Sequence, residues 1–157
     1  IVTNVLREVG IKSPVVSGGG SVSSNGTGPA LGTAASGLMG VVSFNWDLPI
    51  PGVKEEMAAY HKLYPSKPFP PASDTVGLGY AIGMIIDQAL EKAASTDPTK
   101  IRDVLENTEF HVPLPGGKVD FDQTGLNIYG QPIMVEWIKG ELRTIWPKEY
   151  QTVKPTF

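Results

Sequence analysis

The stretch from Gly117 to Pro147 constrains the fold more than any other part of this chain. Gly117-Lys118-Val119-Asp120-Phe121-Asp122-Gln123-Thr124-Gly125 is polar and rich in turn formers. It leads into two short β runs, one from Pro132 through Glu136-Trp137 and one ending at Trp146-Pro147. Lys139-Gly140 between them reads as a tight turn. Neither run contains a nucleophile–base pair or a metal-ligand cluster.

Upstream, helix and strand signals alternate. Val2, Val5, Leu6 and Val9 share a face, which predicts a short helix over residues 1–9 that Gly10 ends. A helix already under way at Ile1 is expected of a piece of a longer protein. Residues 11–16 lead into a short buried strand. Ser17-Gly18-Gly19-Gly20-Ser21 follows as a tight loop, and residues 23–32 read as a flexible, small-residue stretch. Helix, strand and Gly loop in that order form half of an α/β unit. Leu38 to Phe44 is a nearly continuous apolar run, as in a sheet covered on both faces. Asn45-Trp46-Asp47 sits just past its carboxyl end.

Pro49 and Pro51 stiffen the connector that comes next. Val53, Met57, Tyr60 and Tyr64 recur at helical spacing, predicting an amphipathic helix over residues 53–63. On it, Glu55-Glu56 reads as a solvated face. Prolines exclude regular structure over residues 64–71. Ser73 or Asp74 then suits the N-cap of a helix running to about Ala94. That helix is apolar around most of its surface, so burial inside a domain is expected. Gly77, Gly79 and Gly83 would cost it about 1 kcal/mol each against Ala. Close packing or approach to a ligand would explain them. Thr96-Asp97-Pro98 caps a further helix that buries Ile101, Val104 and Leu105.

Composition narrows the function classes. The chain has 157 residues, 41% hydrophobic and 18% charged, which supplies a real core. A net charge of −3 gives no basic field for nucleic acid or anionic lipid. No apolar run reaches membrane-spanning length. Cysteine is absent, which excludes disulfides and thiolate metal sites. His61 and His111 lie near no acidic ligand pattern. Asp120-Phe121-Asp122 with Gly125 lacks the spaced oxygens and final Glu of a calcium loop and reads as a turn. No phosphate loop and no G-x-S-x-G elbow is present. No metal or cofactor is expected.

Several patterns, in order, resemble the type I periplasmic solute-binding proteins of ABC importers, the Leu/Ile/Val-binding group. Gly10-Ile11-Lys12-Ser13-Pro14-Val15-Val16 is similar to their helix-to-strand step, and Gly40-Val41-Val42 to the strand before a crossover. Tyr80 to Lys92 with Ala93-Ala94-Ser95-Thr96-Asp97 resembles their long helix and its exit. Lys100-Ile101-Arg102-Asp103-Val104-Leu105 resembles the next helix. Gly117 to Gly125, Glu136-Trp137 and Lys139-Gly140 resemble the terminal segment.

The resemblance implies an α/β fold of two Rossmann-like lobes, of which this chain is the C-terminal part. It places residues 1–45 in the C-terminal lobe, 46–131 in the N-terminal lobe and 132–157 back in the C-terminal lobe. It implies a periplasmic or extracytoplasmic protein that is not an enzyme. Such a protein holds a small-molecule solute between its lobes and delivers it to an ABC permease, and its partners include the missing N-terminal half. A ligand-sensing regulatory domain on the same fold is the alternative. An α/β enzyme would need a convergent acid, base or nucleophile, and none is visible.

Ligands of open α/β sheets sit outside the carboxyl ends of strands. Three segments meet that condition. Gly18, Gly19, Gly20 and Ser21 would let backbone N–H groups approach a carboxylate; the same loop also reads as a plain turn. Asn45 and Trp46 would offer an amide and an aromatic face, or else a hinge with its Trp over the core. Asp74 and Thr75 open the long helix, where Asp74 would receive a cation or act as a cap. Amino-acid-binding members carry an acidic residue in the loop after the first strand, and Gly19 stands at about that position here. A neutral loop suits an organic acid without an amine, unless Asp74 replaces the missing carboxylate.

Overall fold

In the computed structural model, which describes residues 2–18, 20–67 and 73–157, helices and strands alternate up to Val42, and three helices followed by four strands complete the order. The order is α1 (Val2–Glu8), β1 (Val15–Ser17), a 3-10 turn (Gly20–Ser23), α2 (Thr27–Leu31), a second 3-10 turn (Gly32–Ala35) and β2 (Leu38–Val42). Then come α3 (Val53–Leu63), α4 (Ser73–Ala93), α5 (Pro98–Glu106), β3 (Phe110–His111), β4 (Lys118–Val119), β5 (Ile133–Ile138) and β6 (Glu141–Trp146).

The main sheet has the order β1-β2-β5-β6. β1 and β2 run parallel, with Val15 opposite Leu38. β5 returns antiparallel to β2, Gly40 opposite Val135, and forms the predicted hairpin with β6. Lys139 and Gly140 both take positive φ, 51° and 84°. That pair of left-handed residues matches a two-residue turn to the right-handed twist of its strands.

Two cores form. The first gathers Val22, Leu38, Val42, Phe44, Trp46, Leu48 and Val53 with Ile133, Val135 and Trp137. The second joins Ala81 and Ala89 of α4 to Phe110, Val112 and Val119, with Ile101, Val104 and Leu105 of α5 packed against it. The small sheet β3-β4 closes that second core. α4 reaches both: Val76 leans on the first core and Met84 and Ile85 on the second. Gly77 lets it do so, because a Cβ there would lie 2.2 Å from the Phe44 ring.

α5 starts as its sequence dictates. The Asp97 carboxylate accepts from the Thr99 and Lys100 N–H groups, with Pro98 at the first helical position.

Four expectations change. The small-residue stretch is not loose: α2 and a 3-10 turn occupy it. A Cβ at Gly28 would fall 2.3 Å from the Trp137 ring, so only glycine lets α2 lie on that indole. The Trp137 N–H then donates to the Val22 carbonyl, 2.8 Å. β1 is an edge strand rather than a buried one, and Val16 is 58% exposed. α4 buries one face only; Ile82, Ile86 and Leu90 form an exposed apolar stripe on the other. Ser73 and Asp74 already lie inside α4, so neither precedes it as a cap. Most of the proline-rich connector, residues 68–72, lies outside the described residues.

Candidate functional site

Two of the three segments singled out in the sequence meet. Asp74, in the first turn of α4, accepts a hydrogen bond through Oδ1 from the Ser43 N–H just past β2, 3.0 Å. Its other oxygen, Oδ2, faces the loop after β1: a Cβ built on Gly20 would sit 3.3 Å from it. Among the described residues Oδ2 has no hydrogen-bond partner. A bare glycine thus lets a half-buried carboxylate lean on the loop. Gly18, Gly20, Ser21 and Thr75 are exposed, and Gly19 lies outside the described residues. Ser21 is tied into the same turn, its carbonyl accepting from the Thr27 hydroxyl, 2.5 Å. Ser17 and Ser21 approach through their hydroxyls, 3.5 Å. Sequence reasoning missed Ser43, because its contribution is a backbone N–H that no side-chain pattern reports.

The third segment, Asn45 and Trp46, is buried. Asn45 is buried, and its amide N–H groups point to Asp47 Oδ1 (2.7 Å), the Leu142 carbonyl (3.1 Å) and Thr144 Oγ1 (3.2 Å). Trp46 is buried edge-on against Phe44, centroids 5.1 Å apart, and tilted toward Tyr60 at 6.3 Å. Asn45 is thus buried in the connector and Trp46 in the first core. Asp47, not singled out as a site residue, is the hub here. It also accepts from Thr144 N (2.9 Å), Thr144 Oγ1 (2.5 Å), Arg143 Nε (3.0 Å) and the Thr152 hydroxyl. Its partners lie too far along the chain for any local pattern to show them.

Glu56 corrects another expectation. Glu55 is solvated, but Glu56 is only 2% exposed. It shares the inward face of α3 with Val53, Met57 and Tyr60, at the i, i+3, i+4, i+7 positions. Among the described residues neither of its oxygens has a hydrogen-bond partner. Burial pushes its carboxyl up to about 7.

The 120–125 segment is a turn. Asp122 Oδ1 accepts from the Thr124 hydroxyl and from the Thr124 and Leu126 N–H groups. The Thr124 hydroxyl, then those N–H groups, hold the carboxyl below its usual range. Among the described residues no group of three His, Asp or Glu side chains could hold a metal ion, and no helix is long and apolar enough to cross a membrane.

Comparison with known proteins agrees with this architecture. A family model for periplasmic binding proteins matches residues 2–140, and the chain belongs to that family. The family consists of extracytoplasmic binding proteins rather than enzymes. Solved structures show the same fold. A possible leucine/isoleucine/valine-binding protein from Rhodopirellula baltica superposes with a TM-score of 0.74 at 17% identity, over 95% of this chain and 40% of its own. A leucine-binding protein from Thermotoga maritima gives 0.68 at 20% identity, over 92% and 40%. An ABC transporter substrate-binding protein from Desulfitobacterium hafniense, in complex with Leu, gives 0.69 at 21%, over 92% and 39%. The chain therefore spans about 40% of the length of these relatives. No curated protein matches it.

Proposed function

We propose that the protein containing this chain is an extracytoplasmic solute-binding component of an ABC importer. It captures a small amino-acid-like solute between two lobes and releases it to a permease, breaking no bond. The observation that carries this reading is the meeting of the glycine loop, the end of β2 and the start of α4 around the open oxygen of Asp74. The loop offers backbone N–H groups to a carboxylate. Asp74 offers the charge that the loop lacks, so an ammonium need not be buried unpaired. The site residues of this reading are Gly18, Gly19, Gly20, Ser21, Asp74 and Thr75. An amine-bearing solute replaces the amine-free acid that the neutral loop alone suggested.

This reading assigns residues 1–45 and 132–157 to one lobe and 46–131 to the other, with closure of the lobes around the guest. The rest of both lobes comes from the other half of the protein. Edge strand β1, a groove of about 480 Å³ along it, and the bare stripe of α4 support that reading.

Calorimetry on the full-length protein tests the function. L-leucine and related amino acids are expected to bind, and phenylacetate, which lacks the amine, is not. Asp74→Asn should weaken amino-acid binding about 100-fold while leaving the melting temperature unchanged. Tight phenylacetate binding that is indifferent to Asp74→Asn would overturn it.

A further inference from the structure

The chain has five asparagines, and Asn25 alone is followed by glycine. Asn25 and Gly26 are exposed, between the first 3-10 turn and α2. Among the described residues the Asn25 side-chain amide has no hydrogen-bond partner. The Gly26 N–H makes one long bond, to Ser24 Oγ at 3.4 Å. A Cβ built on Gly26 would meet nothing nearer than that hydroxyl, 3.9 Å away. Nor does α2 grip the Asn25 carbonyl. The residue that would donate to it in a helix is Pro29, which has no N–H. Other asparagines are held. Asn45 is buried among its acceptors, the Asn107 amide donates to the Asp103 carbonyl (2.8 Å), and Asn127 Oδ1 accepts from the Asp120 and Tyr129 N–H groups (3.2 and 3.1 Å). Asn4 lies within α1 and is followed by the β-branched Val5.

A free side-chain amide beside a glycine nitrogen closes on it readily, because no Cβ blocks the approach. The Gly26 nitrogen gives its proton to solvent and bonds to Asn25 Cγ. The Cγ–Nδ2 bond breaks, and the amide nitrogen takes a proton from solvent and leaves as ammonia. Water then opens the cyclic imide. Attack at Cγ leaves aspartate; attack at the main-chain carbonyl leaves isoaspartate, whose main chain runs through Cβ and Cγ and is one carbon longer. An amide and a water have become a carboxylate and an ammonium, and nothing is oxidised or reduced. We propose that Asn25-Gly26 is a self-modification site that converts to aspartyl and isoaspartyl forms, the second of which loosens the turn behind the glycine loop. That turn is tied by Ser24 N–H to the Ser21 carbonyl (3.3 Å), Thr27 N–H to the Ser24 carbonyl (2.9 Å) and the Thr27 hydroxyl to the Ser21 carbonyl (2.5 Å). Asn25 lies between Ser24 and Thr27, so an added main-chain carbon pushes Thr27 away from both carbonyls. Ser21 belongs to the loop of the solute reading, and weaker solute binding by aged protein is the one consequence that rests on that reading.

The test incubates the full-length protein in mild alkali and separates its charge forms by ion exchange. Each conversion adds one negative charge to the −3 of this chain, and peptide mass mapping should place the change at Asn25, ahead of the other four asparagines. Asn25→Gln and Gly26→Ala should each stop it. Gly26 has φ −80° and ψ −20°, which alanine adopts freely, so the second variant keeps the fold. Hydrogen exchange then compares the isoaspartyl fraction with the parent and with Asn25→Asp, which adds the charge without the extra carbon. The Ser24 and Thr27 N–H groups should exchange about tenfold faster in the isoaspartyl form, the factor expected when one hydrogen bond is lost, and at the parent rate in Asn25→Asp. An Asn25 amide that persists while another asparagine converts would overturn the proposal. So would an isoaspartyl form whose turn exchanges at the parent rate. Neither readout uses a solute, so this proposal and the solute reading fail separately.

Discussion

Asp47 lies in the connector before α3 and Glu56 in the first turn of that helix, and their surroundings are opposite. Asp47 is filled by donors from β6, from the C-terminal segment and from its neighbour Asn45. Glu56 lies deeper and has none among the described residues. The same functional group thus fixes the chain in one place and tolerates burial in the other only by holding its proton. Burial without a donor raises the Glu56 carboxyl pKa. Sequence position says little about which outcome a carboxylate meets; the donors brought to it by distant strands decide.

The largest effect in this comparison should come from Asp47→Ala. It strands the half-buried Arg143 guanidinium, the Asn45 amide and two threonine hydroxyls. A loss of about 4 kcal/mol is expected in urea unfolding of the full-length protein. A loss below about 1 kcal/mol would mean that water replaces the knot easily.

Glu56 comes next, and its effect depends on pH. The folded state binds its proton more tightly than the unfolded state, with a pKa of about 7 against 4.5. Stability is therefore full below the unfolded value, falls as pH rises between the two, and stays low above 7. The difference is about 3 kcal/mol from the size of the shift. Glu56→Met should abolish that slope and raise stability at pH 8, as read from denaturation midpoints at pH 4.5, 6 and 8. A variant that keeps the parent slope would show that another group carries it.

The glycines of α4 give the smallest and sharpest contrast. Gly77→Ala drives a methyl into Phe44 and should cost about 2 kcal/mol. A methyl at Gly83 meets nothing within 4 Å in this chain. Gly83→Ala should therefore stabilise the 157-residue chain by about 0.5–1 kcal/mol through helix propensity. The proposal that the other half of the protein covers the Ile82, Ile86 and Leu90 stripe predicts no such gain in the full-length protein. An equal gain in both would mean that the stripe stays bare.

These contrasts mirror what could be read from the sequence. α3 was legible from end to end because its apolar residues keep helical spacing. The β5–β6 hairpin was legible from Lys139-Gly140, and the start of α5 from Asp97-Pro98. α2 was not, since Gly, Thr, Pro and Ala carry no apolar period and its fold depends on Trp137 settling over Gly28. Glu56 reads as solvated in the sequence because it follows Glu55, although a single step along a helix turns a side chain through a large angle. At the site, Gly20 and Asp74 were recognised separately, and their meeting required the fold. Asn45 and Trp46 were recognised as polar and aromatic groups at a strand end. Their commitment to the connector depends on Leu142 and Thr144 from β6.

The central claim is that a solute sits between the glycine loop and the start of α4. A crystal structure of the full-length protein with the solute it retains on purification tests this most directly. The account predicts a solute ammonium within about 3.2 Å of Asp74 Oδ2 and a solute carboxylate on the backbone N–H groups of the 18–21 loop. A solute bound elsewhere, with Asp74 contacting Ser43 alone, would contradict it.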